Sequence, residues 1–286
     1  NVNYGNKPMP KIKIAALYVY PVKSLAGVKV NYLKFDQFGP EFDRRWMIVD
    51  EQGNCLTQRE ITKMALIKVN LDAEYLYLSY TDQIFKLELC AAKLPIMAQV
   101  WKHRGEMLDC GDSVAEFLSA ILKVKCRLVT INSQHTRVSS EVGSPAISLV
   151  DARQVLIAST ESLAWLNQKL AENDSTPINM NRFRANIILS GGQGTFYENL
   201  WQNLTIGEIN LRREKACGRC MIITTDQETG QLSNNLPLKI LAKYNRDDKQ
   251  KGAAFGTYFN AQNLTGSLYQ DDIIQIHTYT DSIITR

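Results

Sequence analysis

The sequence lacks any stretch of about 18 to 20 apolar residues, the length that a membrane-spanning helix needs. Residues 1–8 also lack the apolar segment of a secretory signal peptide. Lysine and arginine form no dense run, and acidic residues are interleaved with them. The electrostatic footprint of a nucleic-acid-binding protein is therefore missing. We expect no membrane span and no nucleic-acid partner.

Potential metal ligands are also scarce, with three histidines and six cysteines among 286 residues. The pattern C-x-x-C occurs once, as Cys217-Gly-Arg-Cys220. A structural zinc site needs four Cys or His ligands, normally from two such pairs, so this class is excluded. The cysteine pattern also fits no disulfide framework, which favours a reducing compartment and predicts a cytoplasmic protein. Cys110 is expected to be structural, and core packing is expected for three isolated cysteines: Cys55, Cys90 and Cys126.

The composition is that of an ordinary globular protein, with 45% hydrophobic and 22% charged residues and a net charge of +4. The length allows two modest domains or one large one. Some cations are isolated in apolar or Gly/Pro-marked contexts. Such cations can converge in space on a small phosphorylated ligand. They are Lys23, Arg44, Arg184 and Arg219.

The local patterns predict an α+β fold that is mainly β and mostly antiparallel. Alternation over 12–20 favours a strand that ends at Pro21. Several further short strands with regular turn signals suggest a small barrel or sandwich. We predict them at 46–49, 55–57, 74–80, 84–89, 126–131, 186–190, 204–206, 209–211 and 273–277.

Three helices are predicted between these strands. Ser113 and Glu116 have capping-box spacing ahead of an apolar stripe, Ser159 can cap a second helix, and Pro237 suits the first turn of a third. The polar segment 134–145 is interpreted as a mobile loop and as an approximate boundary.

The paired cysteines do not fit a thioredoxin-like dithiol, which should open a helix. They lead instead into Met221-Ile-Ile-Thr-Thr225, whose β-branched residues favour a strand. What remains is a thiolate that lies beside a cation, Arg219. Such a thiolate can bind a metal carried by a cofactor.

Five segments in order along the chain resemble the MOSC family, and within it the mitochondrial amidoxime-reducing component (mARC) and bacterial YcbX-like proteins. The resemblance runs from about residue 11 to 278. The segments are Tyr20-Pro-Val-Lys-Ser24, Asp43-Arg-Arg-Trp46, Met180-Asn-Arg-Phe-Arg-Ala-Asn186, Ala216-Cys-Gly-Arg-Cys220 and Phe255-Gly-Thr-Tyr-Phe259.

The resemblance implies an N-terminal MOSC β-barrel-like domain over 11–130 and a MOSC β-barrel domain with a few helices over 131–286. It implies a molybdenum cofactor (Mo-molybdopterin) between them, with Cys220 as metal ligand and catalytic residue and Asp151 as an acidic catalytic residue near the metal. Of the adjacent Arg44 and Arg45, the resemblance selects Arg44 to face the cofactor. It likewise favours Arg184 over Arg182. The cofactor-binding residues that it implies are Lys23, Ser24, Arg44, Ala152, Arg153, Arg184, Asn186, Gly218, Arg219 and Tyr258.

The implied activity is reduction of N-hydroxylated compounds. The ferredoxin-type [2Fe–2S] domain of many YcbX-like chains and the membrane anchor of mARC are not found in this sequence. Electrons are therefore expected from a separate protein of a ferredoxin- or cytochrome b5-type reductase system. Ala185 and Gln154 stand where relatives often have proline, and Gly218 where mARC has serine.

Two other functions remain open. MOSC domains also occur in molybdenum-cofactor sulfurases, where a cysteine persulfide would be the active species, but this chain lacks their pyridoxal-phosphate-dependent desulfurase domain. A cofactor carrier would need the same phosphate-binding residues and no electron input. Neither the physiological substrate nor the oligomeric state can be read from the residues.

Overall fold

The computed structural model of the protein describes residues 11–91, 94–134, 137–138, 145–247 and 252–280. It is mainly β, with some helix, as the sequence predicts. The α-helices are α1 (Asp112–Leu122), α2 (Thr160–Ala171) and α3 (Leu236–Tyr244). Short 3₁₀ turns lie at Thr62–Leu66, Met180–Phe183, Tyr197–Leu200 and Met221–Thr224.

The strands are between 2 and 10 residues long. They are β1 (Lys13–Val19), β2 (Val28–Val30), β3 (Tyr32–Asp36), β4 (Gly39–Pro40), β5 (Trp46–Asp50), β6 (Lys68–Leu71), β7 (Tyr75–Tyr80), β8 (Gln83–Glu88), β9 (Leu94–Val100), β10 (His103–Asp109), β11 (Cys126–Ile131), β12 (Arg137–Val138), β13 (Ala146–Ile147), β14 (Val155–Ser159), β15 (Ile187–Ser190), β16 (Trp201–Ile206), β17 (Ile209–Gly218), β18 (Arg246–Asp247), β19 (Gly252–Ala261), β20 (Ser267–Tyr269) and β21 (Ile274–Tyr279).

The largest sheet has the order β2-β1-β15-β14-β19-β17-β16-β21, with β18 paired to β19. Most of its pairs are antiparallel, but β14 and β15 are parallel and α2 connects them. Smaller sheets are β5-β11-β10-β9, β6-β7-β8 and β20-β3-β4, and β12 pairs with β13. Because β1 pairs with β15, the beginning of the chain is part of the same sheet as its second half. The division at residues 130 and 131 stays a prediction.

Both faces of the central strand β14 are buried, which explains why its sequence is continuously apolar up to Ser159. Along β14, Val155 and Ile157 face one core cluster, whereas Leu156 and Ala158 face the opposite one. The second cluster lies under α2 and α3 and includes Phe183 and Phe255. A separate core lies beneath α1 and the β6-β7-β8 sheet. None of the helices in the described residues is long and apolar enough to cross a membrane.

Most of the predicted elements are confirmed, including the three helices. Ser159 caps α2 by accepting a hydrogen bond from the backbone N–H of Ser162 at 3.3 Å. The capping box at Ser113 is wrong, because Gly111 is the N-cap of α1 and Ser113 already lies within the helix. The strand predicted at 55–57 is reduced to a single bridge between Val49 and Cys55.

Two further predictions need correction. Cys90 is exposed and not a core residue, whereas Cys126 is buried and Cys55 half-buried. The segment 134–145, interpreted as a loop, contains the short strand β12, which pairs with β13. The rest of that prediction lies largely outside the described residues. The β9–β10 hairpin was not predicted, although Ile96, Ala98 and Val100 alternate with more polar or exposed positions in a strand-like period.

Candidate functional site

Two adjoining pockets bring most of the predicted site residues together. The smaller has a volume of about 70 Å³ and the larger about 330 Å³. Lys23, Ser24, Arg44, Arg153 and Asn186 line the smaller one, and Ala152, Cys217, Gly218 and Cys220 line the larger. Both pockets share the following residues: Arg59, Asp151, Arg184, Arg219 and Tyr258.

Four residues that line these pockets have a left-handed backbone. The φ angles are 65° at Ser24, 48° at Arg44, 56° at Trp101 and 55° at Arg184. This conformation is unfavourable for residues other than glycine, and such strain is concentrated at binding sites. Arg44 and Arg45 therefore do not lie in a continuous extended segment. Arg44 still faces the pocket, while Arg45 pairs with Asp36 at 2.7 Å.

A buried carboxylate holds the Arg44 side chain. Arg44 Nη1 donates to both oxygens of Asp43, at 2.7 and 2.6 Å. Asp43 Oδ1 also accepts from the backbone N–H of Tyr20 at 2.9 Å and from Asn186 Nδ2 at 3.0 Å. Asn186 lines the pocket, but the hydrogen bonds of its side chain that the structure shows go to the protein. In this structure Asn186 supports Asp43 and thereby orients Arg44.

The Arg184 guanidinium lies next to that of Arg44. Both pack over the ring of Tyr20, at 4.4 and 4.3 Å from its centroid. Arg184 Nη1 donates to the carbonyl of Leu25 at 2.7 Å, whereas Nη2 is buried without a hydrogen-bond partner in the described part of the chain. Burial and the charge of Arg44 lower the pKa of Arg184 to about 10. An unpaired buried donor beside a second cation is what an anion such as a phosphate needs.

Arg182, two residues earlier, is used differently. Its Nη2 pairs with Asp226 at 2.9 Å, and its Nη1 donates to Ser233 and to two backbone carbonyls. Arg182 is therefore a buried residue of a 3₁₀ turn that forms a salt bridge within the protein.

Lys23 and Asp151 form an ion pair at the junction of the pockets. Lys23 Nζ also donates to the carbonyl of Leu149 at 3.0 Å, and Trp101 Nε1 donates to Asp151 Oδ1 at 3.1 Å. Burial raises the pKa of Asp151, but the charge and hydrogen bond of Lys23 outweigh it and hold this pKa well below its usual range. Asp151 is therefore a carboxylate at neutral pH, and a phosphate would compete with it for Lys23.

Arg153 is also paired within the protein. Its Nε donates to Glu214 at 3.2 Å and its Nη1 to the carbonyl of Ala152 at 3.1 Å, and the side chain is buried. The roles predicted for Ala152 and Arg153 in cofactor binding stay predictions.

The two cysteines have different environments. Cys217 is buried near the end of β17, and burial raises its pKa. Burial, and the nearby Cys217 side chain, raise the pKa of Tyr258 well above its ordinary value. Cys220 is half-buried and lines the larger pocket together with Gly218. The more accessible thiol is thus the one assigned to the metal.

The strand predicted after Cys220 is wrong, because Met221–Thr224 forms a 3₁₀ turn. Thr224 Oγ1 donates to the carbonyl of Met221 at 2.7 Å, and the side chain of Ile223 is buried in the core beneath α3. Tertiary packing overrides the β-propensity of this segment. A turn of four residues is too short to provide the dipole of a thioredoxin-like helix.

The cation at Cys220 also differs from the prediction. Arg219 Nε and Nη2 donate to the carbonyl of Phe255, at 2.9 and 2.6 Å, and its Nη1 donates to the carbonyl of Phe183 at 2.8 Å. Burial lowers the pKa of Arg59, but the Cys220 side chain and nearby acidic groups outweigh it and raise this pKa. Arg59 and Cys220 therefore lie close together, whereas the guanidinium of Arg219 is turned to backbone carbonyls.

Sequence reasoning missed Arg59 and Trp101. The Arg59 guanidinium lies over the Trp101 ring, 4.6 Å from its centroid. Trp101 is located at the tip of the β9–β10 hairpin. The alternation of apolar and more polar residues along β9 was the signal from which this hairpin could have been predicted. No local pattern marks Arg59, because its partners lie far along the chain.

The residues present fit an anionic cofactor that carries a soft metal. The unpaired Nη2 of Arg184 and the neighbouring Arg44 suit its phosphate, and the Cys220 thiol is a soft donor. Within the described residues, no group of three or more His, Cys, Asp or Glu side chains could hold a metal ion.

Comparison with known proteins gives matches over most of the chain. Two family models match, the MOSC N-terminal beta barrel domain over residues 11–125 and the MOSC domain over residues 144–275. Mitochondrial amidoxime-reducing component 1 of Homo sapiens is 31% identical over 274 residues, which cover 87% of this chain and 79% of the relative.

A molybdenum cofactor sulfurase of Danio rerio is 30% identical over 286 residues, which cover 93% of this chain and 34% of the sulfurase. Among solved structures, the YuaD protein of Bacillus subtilis is 14% identical, with 94% of this chain and 97% of YuaD covered and a TM-score of 0.39. This structural likeness is too weak to carry an argument.

Proposed function

Because the chain belongs to the family of MOSC-domain proteins that includes the mitochondrial amidoxime-reducing components, we propose that it is a molybdenum-cofactor-dependent oxidoreductase that reduces N-hydroxylated compounds. Amidoximes are one class of such compounds. The observation that carries the proposal is the placement of two groups in one pocket: the half-buried thiol of Cys220 and the unpartnered guanidinium nitrogen of Arg184.

Arg184 and Arg44 would hold the phosphate of molybdopterin. Their charges are close together, and one buried N–H is unsatisfied, so an anion relieves both costs. Lys23, Ser24 and the backbone around Ala152 and Arg153 would complete the contacts, while Asn186 would act through Asp43. Gly218, Arg219 and Tyr258 line the larger pocket, where the pterin would lie.

Cys220 would be the protein ligand of molybdenum, since a thiolate is a soft donor. When bound, the cofactor would supply the redox chemistry that cleaves the N–O bond. The reaction consumes two electrons and two protons, and the oxygen leaves as water while the nitrogen retains its bond to carbon. Arg59, the cation close to the Cys220 sulfur, would help to orient it. The carboxylate of Asp151 can accept a hydrogen bond from the N–OH group of the substrate.

We propose that the electrons come from a separate protein of a ferredoxin- or cytochrome b5-type reductase system. A cytoplasmic location is part of the same proposal, since all six cysteines are free thiols.

The likeness to molybdenum cofactor sulfurases over most of the chain favours sulfur transfer as the second candidate. A persulfide on Cys220 would be its active species, because Cys217 is buried. A third possibility, a carrier that binds and hands over the cofactor, uses the same phosphate contacts and no electron input.

Turnover distinguishes these functions. The protein is purified from a host that makes the molybdenum cofactor and is assayed for reduction of benzamidoxime with an artificial electron donor. Cofactor-free protein is the control. Reduction that requires bound cofactor supports the oxidoreductase. Cofactor binding without reduction favours the carrier, and sulfur released from the protein by cyanide favours sulfur transfer.

A further inference from the structure

The tip of the β9–β10 hairpin places an exposed aromatic ring in the same pocket as the Cys220 thiol. Trp101 lines the larger pocket together with Cys220 and Ile222. Its surface is 48% exposed, even though the Arg59 guanidinium already lies over the ring. A large apolar side chain in a pocket mouth, with surface to spare, is typical of a contact for a ligand.

Several contacts hold this ring in place. The backbone of Trp101 is left-handed, with a φ of 56°, and its carbonyl accepts a hydrogen bond from Gln99 Nε2 at 2.8 Å. Gln99 is itself bonded to Gly53 and Cys55 through its backbone. The indole Nε1 donates to Asp151 at 3.1 Å. A strained backbone persists only when its surroundings fix it, and such strain is concentrated at binding sites.

The charges around the larger pocket limit the ligand further. Its lining contains more cations than anions: Arg59, Arg182, Arg184, Lys215 and Arg219 against Asp151. Asp151 and Arg182 already have ion-pair partners in Lys23 and Asp226. Arg184 is assigned to the cofactor phosphate in the proposed function, so the cations left to face a substrate are Arg59, Lys215 and Arg219. Their positive charge disfavours a cationic substrate.

We propose that Trp101 determines substrate specificity by stacking against the body of the substrate, so that neutral or anionic N-hydroxylated compounds with an aromatic ring are preferred over small aliphatic ones. This inference rests on the proposed function. The offset or edge contact of two aromatic rings adds binding free energy beyond that of buried area alone, and a small aliphatic group cannot make it.

The test compares benzamidoxime with acetamidoxime, two neutral amidoximes that differ in the ring. The holoenzyme is studied as wild type, Trp101→Ala and Trp101→Phe. We expect the ratio of kcat/KM for benzamidoxime over acetamidoxime to fall about five- to tenfold in W101A, the size of an aromatic contact. In W101F the ring remains and the indole N–H is lost, so the ratio should stay near that of the wild type.

W101F separates stacking from positioning. If Trp101 acts only by holding Asp151, W101F must resemble W101A, and the inference is wrong. Tyr279→Ala is the matched control, because Tyr279 is 62% exposed and lines neither pocket. The second readout is the Kd of benzamidoxime for oxidised holoenzyme without an electron donor. It should rise by a similar factor in W101A only.

Molybdenum and pterin content are measured in every variant, so the two proposals can fail separately. A wild-type protein that binds no cofactor contradicts the proposed function itself. A loaded and active W101A enzyme with the wild-type substrate ratio and Kd contradicts only the role of Trp101.

Discussion

Gln58 and Gln227 exchange two side-chain hydrogen bonds although they are 169 residues apart, with Nε2–Oε1 distances of 3.2 and 3.0 Å. Both side chains are buried, and Gln58 Nε2 also donates to the carbonyl of Ser24 at 2.7 Å. The pair therefore connects the segment that carries Ser24 and Arg59 with the segment that follows Cys220. It joins the side of the pockets that we propose to bind phosphate to the side that carries the thiol.

Gln58→Leu should lower the free energy of unfolding by about 1 to 3 kcal/mol, because it leaves the Gln227 amide buried without its partner. The double variant Gln58→Leu/Gln227→Leu should lose less than the sum of the two single variants, since neither amide is then buried without the other. Urea unfolding of the four proteins measures this coupling. Strict additivity would mean that the two amides do not stabilise each other.

Arg184→Gln should reduce the molybdenum and pterin bound per chain, with the affinity about tenfold weaker, because a charge-assisted hydrogen bond to the phosphate is lost. Arg182→Gln is the matched control. Its guanidinium is satisfied by Asp226 and backbone carbonyls, so this variant should lose stability and keep its cofactor. Equal loss of cofactor in both variants would contradict the assignment of Arg184.

Glu198 should make stability depend on pH near neutrality. It is fully buried, and burial raises the pKa of its carboxyl from 4.5 to about 7, against hydrogen bonds from Ser159 and Ser162 that favour the charged form. A raised carboxyl pKa means that the folded state holds a proton that the unfolded state has released. The stability that this proton provides is present at low pH and is lost as pH rises through about 7.

We therefore expect the free energy of unfolding to fall by about 1 kcal/mol between pH 6 and 8 on account of Glu198. In Glu198→Gln this part of the dependence should disappear, because the amide does not titrate. Denaturant unfolding of both proteins at the two pH values measures the difference. An unchanged pH dependence in the variant would show that Glu198 does not titrate in this range.

Local patterns were sufficient for much of the fold. The alternation that ends at Pro21 predicts β1, and Ser159 marks the start of α2, because strand period and capping depend on neighbouring residues. The strand predicted after Cys220 was wrong because the conformation of this segment depends on contacts outside the local pattern. Burial of Ile223 beneath α3 and the bond from Thr224 to Met221 fix a 3₁₀ turn, and neither contact can be read from the β-branched residues themselves.

Some residues of the candidate site could be predicted from the sequence and others could not. The resemblance selected Arg44, Arg184 and Cys220, which the fold brings to adjoining pockets. Arg59 and Trp101 could not be found, because a hairpin tip and a distant loop meet only after the chain has folded. The sequence also predicted Arg219 as the cation beside Cys220, because the two residues are adjacent along the chain. Adjacency does not show where a side chain points, and the Arg219 guanidinium turns to the carbonyls of Phe183 and Phe255.

The most direct test of the account is molybdenum and pterin analysis combined with benzamidoxime reduction, for the wild type, Cys220→Ala and Cys90→Ala. Cys90 is an exposed free thiol outside the pockets and serves as the control. The account predicts cofactor and activity in the wild type and in C90A, and pterin without activity in C220A. Full activity in C220A would contradict the assignment of Cys220 as the metal ligand.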